Sequence, residues 1–215
     1  MTPLLPPRTL VATLRAFAFV GLGLIAPAQA VEYPDLAITD VSIVDVAHGT
    51  TIGPRTIVVR DGRIKAIAAP SAAVVPDSAE RIDGRGRFVI PGLVDMHVHL
   101  FNNVSKRPPN TWSFPLYVAN GVTAVREMAA IPDSIAIVNQ WRRALADGTL
   151  VAPRILAAGV VAYGSTPDEA VAHVDAGADA GADFIKVFSD ISESSWRAGI
   201  DEAKRRSLPV IGHVP

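Results

Sequence analysis

The stretch Pro91-Gly92-Leu93-Val94-Asp95-Met96-His97-Val98-His99-Leu100 divides the 215-residue chain into two kinds of sequence. Before it, from Leu36 to about Ile90, the runs LAITDVSIVDV, TIVVRDGRIKAIAA and ERIDGRGRFVI read as short strands separated by turn residues. Asp61-Gly62, between two β-rich runs, is a strong two-residue hairpin signal, because a type I′ turn requires positive φ and Gly adopts it freely. A small β domain is therefore expected over 31–90, ended by Pro91-Gly92.

After Pro91 strands alternate with helices, the pattern of parallel βα units. Strands are expected at 93–100, 122–128, 154–161, 183–189 and 209–214. Between them Ile135, Val138, Trp141 and Leu145 fall near the spacing of one helix face over 134–146, and Gly148 supplies the stop. Thr166-Pro167-Asp168-Glu169 forms a capping box with Pro at the first helical position. A further helix is expected from about Ser194 to Arg206 and a short one between Leu116 and Asn120. A (β/α)8 barrel takes about 250 residues, and 125 follow Ile90. The fold class expected is thus α/β: a partial (β/α)8 TIM barrel with about five of its eight strands, preceded by a small β-sandwich-like segment. An open five-stranded α/β sheet is the alternative.

Charge and composition exclude several functions. Twenty basic side chains against 21 acidic ones, scattered along the chain, give no electrostatic drive toward nucleic acid. The absence of cysteine removes disulfides, thiolate nucleophiles and Cys-ligated zinc. Any metal must be held by imidazole or oxygen. Arg8 and Arg15 precede an uncharged apolar run from Ala16 to Ala26, followed by Ala28-Gln29-Ala30, the layout of a secretory signal cleaved after Ala30. The run is well short of the roughly 20 residues that cross a bilayer. Residues 1–30 are therefore expected to be a signal peptide and the mature chain periplasmic or secreted, with no membrane attachment after cleavage. A homo-oligomer is left open.

His97 and His99 lie two apart on an expected strand, so alternation brings both imidazoles to one side, where they can chelate one ion. Asp95 shares that parity and could orient an imidazole or cap the strand. Lys186 interrupts the apolar run FIKVF, where an unpaired ammonium is costly to bury. It either pairs with an acid such as Asp190 or Glu127, snorkels, or, once deprotonated, captures carbon dioxide as a metal-bridging carbamate. His213, beside Gly212, lies near the end of the last expected strand, where a lone His is either a hydrogen-bonded core residue or a ligand. All four residues fall toward the same end of consecutive βα units, where barrel and open-sheet enzymes hold their sites. His48 and His173 are expected to be solvated. Tyr163 is expected to be a surface aromatic, and the loop from Phe101 to Trp112 a lid or a connector. No GxGxxG or GxxxxGK loop opens a helix, so nucleotide binding has little support.

PGLVDMHVHL resembles the PG(L/F)(I/V)DxHxH signature of the amidohydrolase superfamily, GVTAVREM its second strand, FIKVFSD its metal-bridging lysine strand and LPVIGHVP its fifth strand. The resemblance implies a metal-dependent hydrolase of carbon–nitrogen bonds, in amides, dipeptides or cyclic amides, of the imidazolonepropionase and prolidase type. It implies two divalent cations, zinc above all, with His97 and His99 on the more buried one, carboxylated Lys186 as the bridge and His213 on the other. The family also expects a His from strand six and a catalytic Asp from strand eight. Both are expected beyond Pro215, so the chain is read as an N-terminal portion that is inactive alone. The competing readings are a non-catalytic truncated chain and a metal-free small-molecule-binding α/β domain.

Overall fold

The computed structural model describes residues 34–101, 109–161 and 166–213. The signal-like segment, the middle of the loop after His99, and Tyr163 lie outside the described residues.

The first sheet is built from β1 (Leu36–Asp45), β2 (Thr50–Arg60), β3 (Arg63–Ala68), β4 (Glu80–Asp83) and β5 (Phe88–Val89). Its order is β3-β2-β1-β4, with β5 also on β1. The β1–β2 and β2–β3 pairs are antiparallel, whereas β4 and β5 run parallel to β1. The β2–β3 connection is the expected tight turn. Arg60 pairs with Arg63, and Asp61 and Gly62 have φ of 51° and 65°, the two positive values of type I′. The parallel placement of β4 and β5 on β1 is non-local, and local turn chemistry gives no sign of it.

The second sheet contains β6 (Leu93–Val98), β7 (Val122–Glu127), β8 (Arg154–Val161), β9 (Phe184–Val187) and β10 (Val210–Gly212), all parallel and in sequential order. Strictly sequential order has no topological switch point, which an open doubly wound sheet requires. The sheet curls into a half-barrel. β8 keeps its expected bounds and the other four strands end one or two residues inside theirs, so His99 and His213 lie just past the last ladder residues.

Among the described residues four α-helices join these strands: α1 (Phe114–Ala119), α2 (Pro132–Ala146), α3 (Pro167–Asp179) and α4 (Glu193–Arg205). α2 starts two residues earlier than the apolar spacing suggests because Pro132 occupies its first turn, where a missing N–H costs nothing. At α3 the capping box forms in full: Glu169 N donates to Thr166 Oγ1 at 3.3 Å and Thr166 N donates to Glu169 Oε2 at 2.8 Å. Ser192 caps α4 by accepting from Ser195 N at 3.2 Å. Among the described residues no helix is long and apolar enough to cross a membrane.

The core forms on both faces of the half-barrel. Against α1 and α2, Val98, Val125, Ile135, Val138, Ile155 and Ala157 are buried together with Phe114. Against α3 and α4, Val174, Ile185, Val187 and Ala203 do the same. Burying an aliphatic side chain of this size contributes roughly 1.5–3 kcal/mol. Met128, Ala158 and Phe184, with Leu156 and Ile211, form a separate cluster on the concave face. β9 therefore alternates cleanly: Phe184 lies on the concave side, Ile185 and Val187 on the helix side, and Lys186 back on the concave side.

Candidate metal centre

β9 is buried along its whole length, and Lys186 is only 3% exposed. Neither Asp190 nor Glu127 pairs with it, which corrects two partners the sequence offers. Among the described residues no carboxylate lies within ion-pairing distance of the amine. Its ammonium would instead lie over the ring of Phe188, 5.3 Å from the centroid. Burial, and then the charge of Arg126, pull the Lys186 pKa below the ordinary lysine value. Arg126 is held on the same side of the sheet by a 2.8 Å bond from its Nε to the Met96 carbonyl and by packing over Phe184. The surroundings thus favour a neutral amine.

The ring of Phe188 meets His213 edge-on, at 5.9 Å between centroids. Gly212 makes this approach feasible. Its φ is 142°, and a β-carbon there would stand 2.1 Å from the Val187 carbonyl oxygen, so only glycine lets β10 close on β9 at this point. The next residue, His213, donates its N–H to that same carbonyl at 3.0 Å.

His97 and His99 also come together, their rings edge-to-face at 5.2 Å. The His97 pKa is lowered, first by desolvation, then by the charges of His99, Lys186 and Arg126, with Asp95 opposing. Lys186 and the imidazole pair therefore share one electrostatic environment. His213 meets it through Phe188. Among the described residues no three His, Asp or Glu side chains already converge as a cage.

Asp95 does not follow the simple parity argument. It is in register with Val125 and Val98 with Glu127, so three steps along β6 match two along β7. This extra residue, a β-bulge, breaks the alternation that the sequence count assumes. The Asp95 carboxylate accepts the backbone N–H of His97 at 3.1 Å, the capping role. Glu127, which sequence reading offers only as a partner for Lys186, is fully buried and lies 3.9 Å from His99 Nδ1. An isolated carboxylate at the end of an apolar strand was the available signal.

The other histidines lie elsewhere. His48 is exposed in the turn after β1, its Nδ1 2.8 Å from Asp45 Oδ2. His173 is half-buried on α3 rather than solvated, and its Nδ1 is buried without a hydrogen-bond partner among the described residues. Phe101, the first residue of the loop after His99, is buried and stacks on Trp141 at 5.3 Å. A cavity of about 550 Å³ lies at the opposite ends of the strands, between Arg142, Arg154 and Asp183, away from every candidate ligand.

The donor set fits divalent metal: two adjacent imidazoles, a third near by, and a buried amine that among the described residues has no carboxylate partner and would supply an oxygen ligand on carboxylation.

No family model matches the chain. A dihydroorotase of Anaeromyxobacter sp. (strain K) is 28% identical over 185 residues, covering 80% of this chain and 40% of the relative. An imidazolonepropionase of Mycolicibacterium smegmatis is 54% identical over 44 residues, 20% of this chain and 11% of the relative. Among solved structures, a putative prolidase from Bifidobacterium longum matches with a TM-score of 0.69 and 26% identity, over 84% of this chain and 49% of its own. A molinate hydrolase shares the fold, with a TM-score of 0.71 at 19% identity over 85% of this chain and 54% of its own. The chain thus spans about half, or less, of the length of these relatives. The half-barrel, its ordered motifs and these likenesses support the amidohydrolase superfamily as the family this chain resembles.

Proposed function

We propose that the protein is a metal-dependent hydrolase of carbon–nitrogen bonds in small amides, dipeptides or cyclic amides, and that this chain carries the first ligands of its two-metal centre. The relatives, which include an L-hydantoinase and prolidase-like proteins, hydrolyse amide and cyclic amide bonds. One observation carries the reading: Lys186 is buried without a carboxylate partner among the described residues, within electrostatic reach of paired imidazoles.

In this reading His97 and His99 would hold one cation and His213 the other, with zinc the preferred metal. The neutral form of Lys186, favoured by burial and by Arg126, would add through its lone pair to carbon dioxide: a carbon–nitrogen bond forms as one carbon–oxygen π bond opens, a proton leaves to solvent, and the resulting carboxylate would supply an oxygen ligand to the metal. Bound divalent cations supply a Lewis acid for the scissile carbonyl and a water of lowered pKa. Asp95 holds the His97 backbone in place. The concave cluster of Met128, Ala158 and Phe184 excludes water beneath the site. The catalytic carboxylate and a further imidazole belong to later strands. We further propose that residues 1–30 direct export, so that the mature protein acts in the periplasm or outside the cell.

Metal analysis of the full-length protein, purified with and without bicarbonate, tests the reading. About two divalent ions per chain are expected with bicarbonate, with a marked loss in Lys186→Ala and His97→Asn. Wild-type metal content in both variants, or a metal-free wild type that hydrolyses no amide, would overturn it.

A further inference from the structure

Glu127 ends β7 and is 0% exposed, and among the described residues no lysine or arginine pairs with its carboxylate. Oε2 accepts the backbone N–H of Leu100, and Oε1 accepts that of Ala129 at 2.8 Å. The Phe101 amide adds a third donor. Two of these three amides belong to the residues that directly follow His99. Register points the same way, because the bulge in β6 resolves at the pairing of Val98 with Glu127, one residue before His99. Oε1 also stands 3.9 Å from His99 Nδ1. That is beyond a hydrogen bond but close enough for a carboxylate to attract a proton on that nitrogen. A purely structural tie of two backbone amides needs no negative charge, and burying one is costly.

We propose that Glu127 is a positioning residue for His99: it fastens the backbone after the imidazole, and its carboxylate keeps the proton on Nδ1 so that Nε2 presents a free lone pair. That a cation takes this lone pair rests on the metal-centre reading above, whereas the choice of tautomer does not. An imidazole with a carboxylate near one nitrogen has its ring orientation and tautomer set for ligation through the other.

The test is imidazole nitrogen–proton correlation NMR of the full-length, metal-free protein, at a pH where His99 is neutral. Assignment comes from a His99→Gln variant. Wild-type His99 is expected as the Nδ1–H tautomer, and Glu127→Gln, which still accepts one amide bond, is expected to shift it toward Nε2–H. Cobalt(II) titration of the same proteins should give roughly a 10- to 100-fold loss of affinity in Glu127→Gln, with an altered visible spectrum. Wild-type His99 already in the Nε2–H form overturns the proposal, as does a folded Glu127→Gln with an unchanged tautomer. If Glu127→Gln loses its near-ultraviolet circular dichroism, Glu127→Asp takes its place and the wild-type tautomer still decides. A wild type that shows the Nδ1–H form but binds no cobalt would sink the metal-centre reading and leave Glu127 its positioning role.

Discussion

β9 and β6 carry candidate ligands under opposite conditions. All four residues of β9 are buried, with β8 and β10 on its flanks and the α3–α4 layer over its outer face. β6 is the outermost strand of its sheet, and Leu93, Val94 and Met96 are each about half exposed. Lys186 is therefore placed by packing, from every side. His97 and His99 are placed by a few polar bonds: Asp95 to the His97 amide, Asn110 Nδ2 to the His99 carbonyl at 3.3 Å, and Glu127 to the amides just beyond. The lesson is that one half of the candidate centre is built into the core, while the other is tied to an edge.

Core truncation separates the two strands most sharply. Ile185→Ala in β9 removes a fully buried side chain and is expected to cost roughly 2–5 kcal/mol in denaturant unfolding. Val94→Ala in β6, 47% exposed, should stay within about 1 kcal/mol. Equal losses would abolish the contrast.

The buried amine provides a second probe, through pH. Because the folded-state pKa of Lys186 lies below its ordinary value, the unfolded chain binds more protons between those two values, and stability must rise with pH across that window. Below the window both states are protonated and the burial cost stands in full. Above it both are neutral and the cost is gone. The slope from this one proton is positive and no steeper than about 1.4 kcal/mol per pH unit. Lys186→Met should lack it in unfolding measured at a series of pH values, and an identical slope in both proteins would show that the amine is not desolvated.

The smallest effect concerns the layer over β9. Thr166→Ala removes the side-chain half of the α3 cap and should cost about 1 kcal/mol. Amide hydrogen exchange is expected to quicken in α3 and β9 and to stay unchanged in β6. Uniform quickening would mean that the two strands open as one unit.

How much of this was legible follows the range of the interactions. The Asp61-Gly62 turn, the Thr166 cap and the lysine interrupting the apolar run FIKVF are local, and each was readable from a few neighbouring residues. The parallel pairing of β4 and β5 with β1 was not, since it depends on contacts between distant segments. The burial of Lys186 follows from its place inside an apolar run, and Asp95 takes the capping alternative that the sequence offers, while the bulge that undoes its parity leaves no clear mark in DMHVH. Glu127 escaped notice as a support for His99 because its partners are main-chain amides, which carry no side-chain signature. His173 was misjudged because helix spacing does not reveal how deeply the neighbouring helix covers one nitrogen.

Gly212 has a consequence at the level of the gene. Every amino acid reachable from a glycine codon by one base change bears a β-carbon, and here that carbon would collide with the Val187 carbonyl oxygen. Every amino-acid replacement at this codon thus meets the same collision, and it would be felt first as a displaced His213 imidazole.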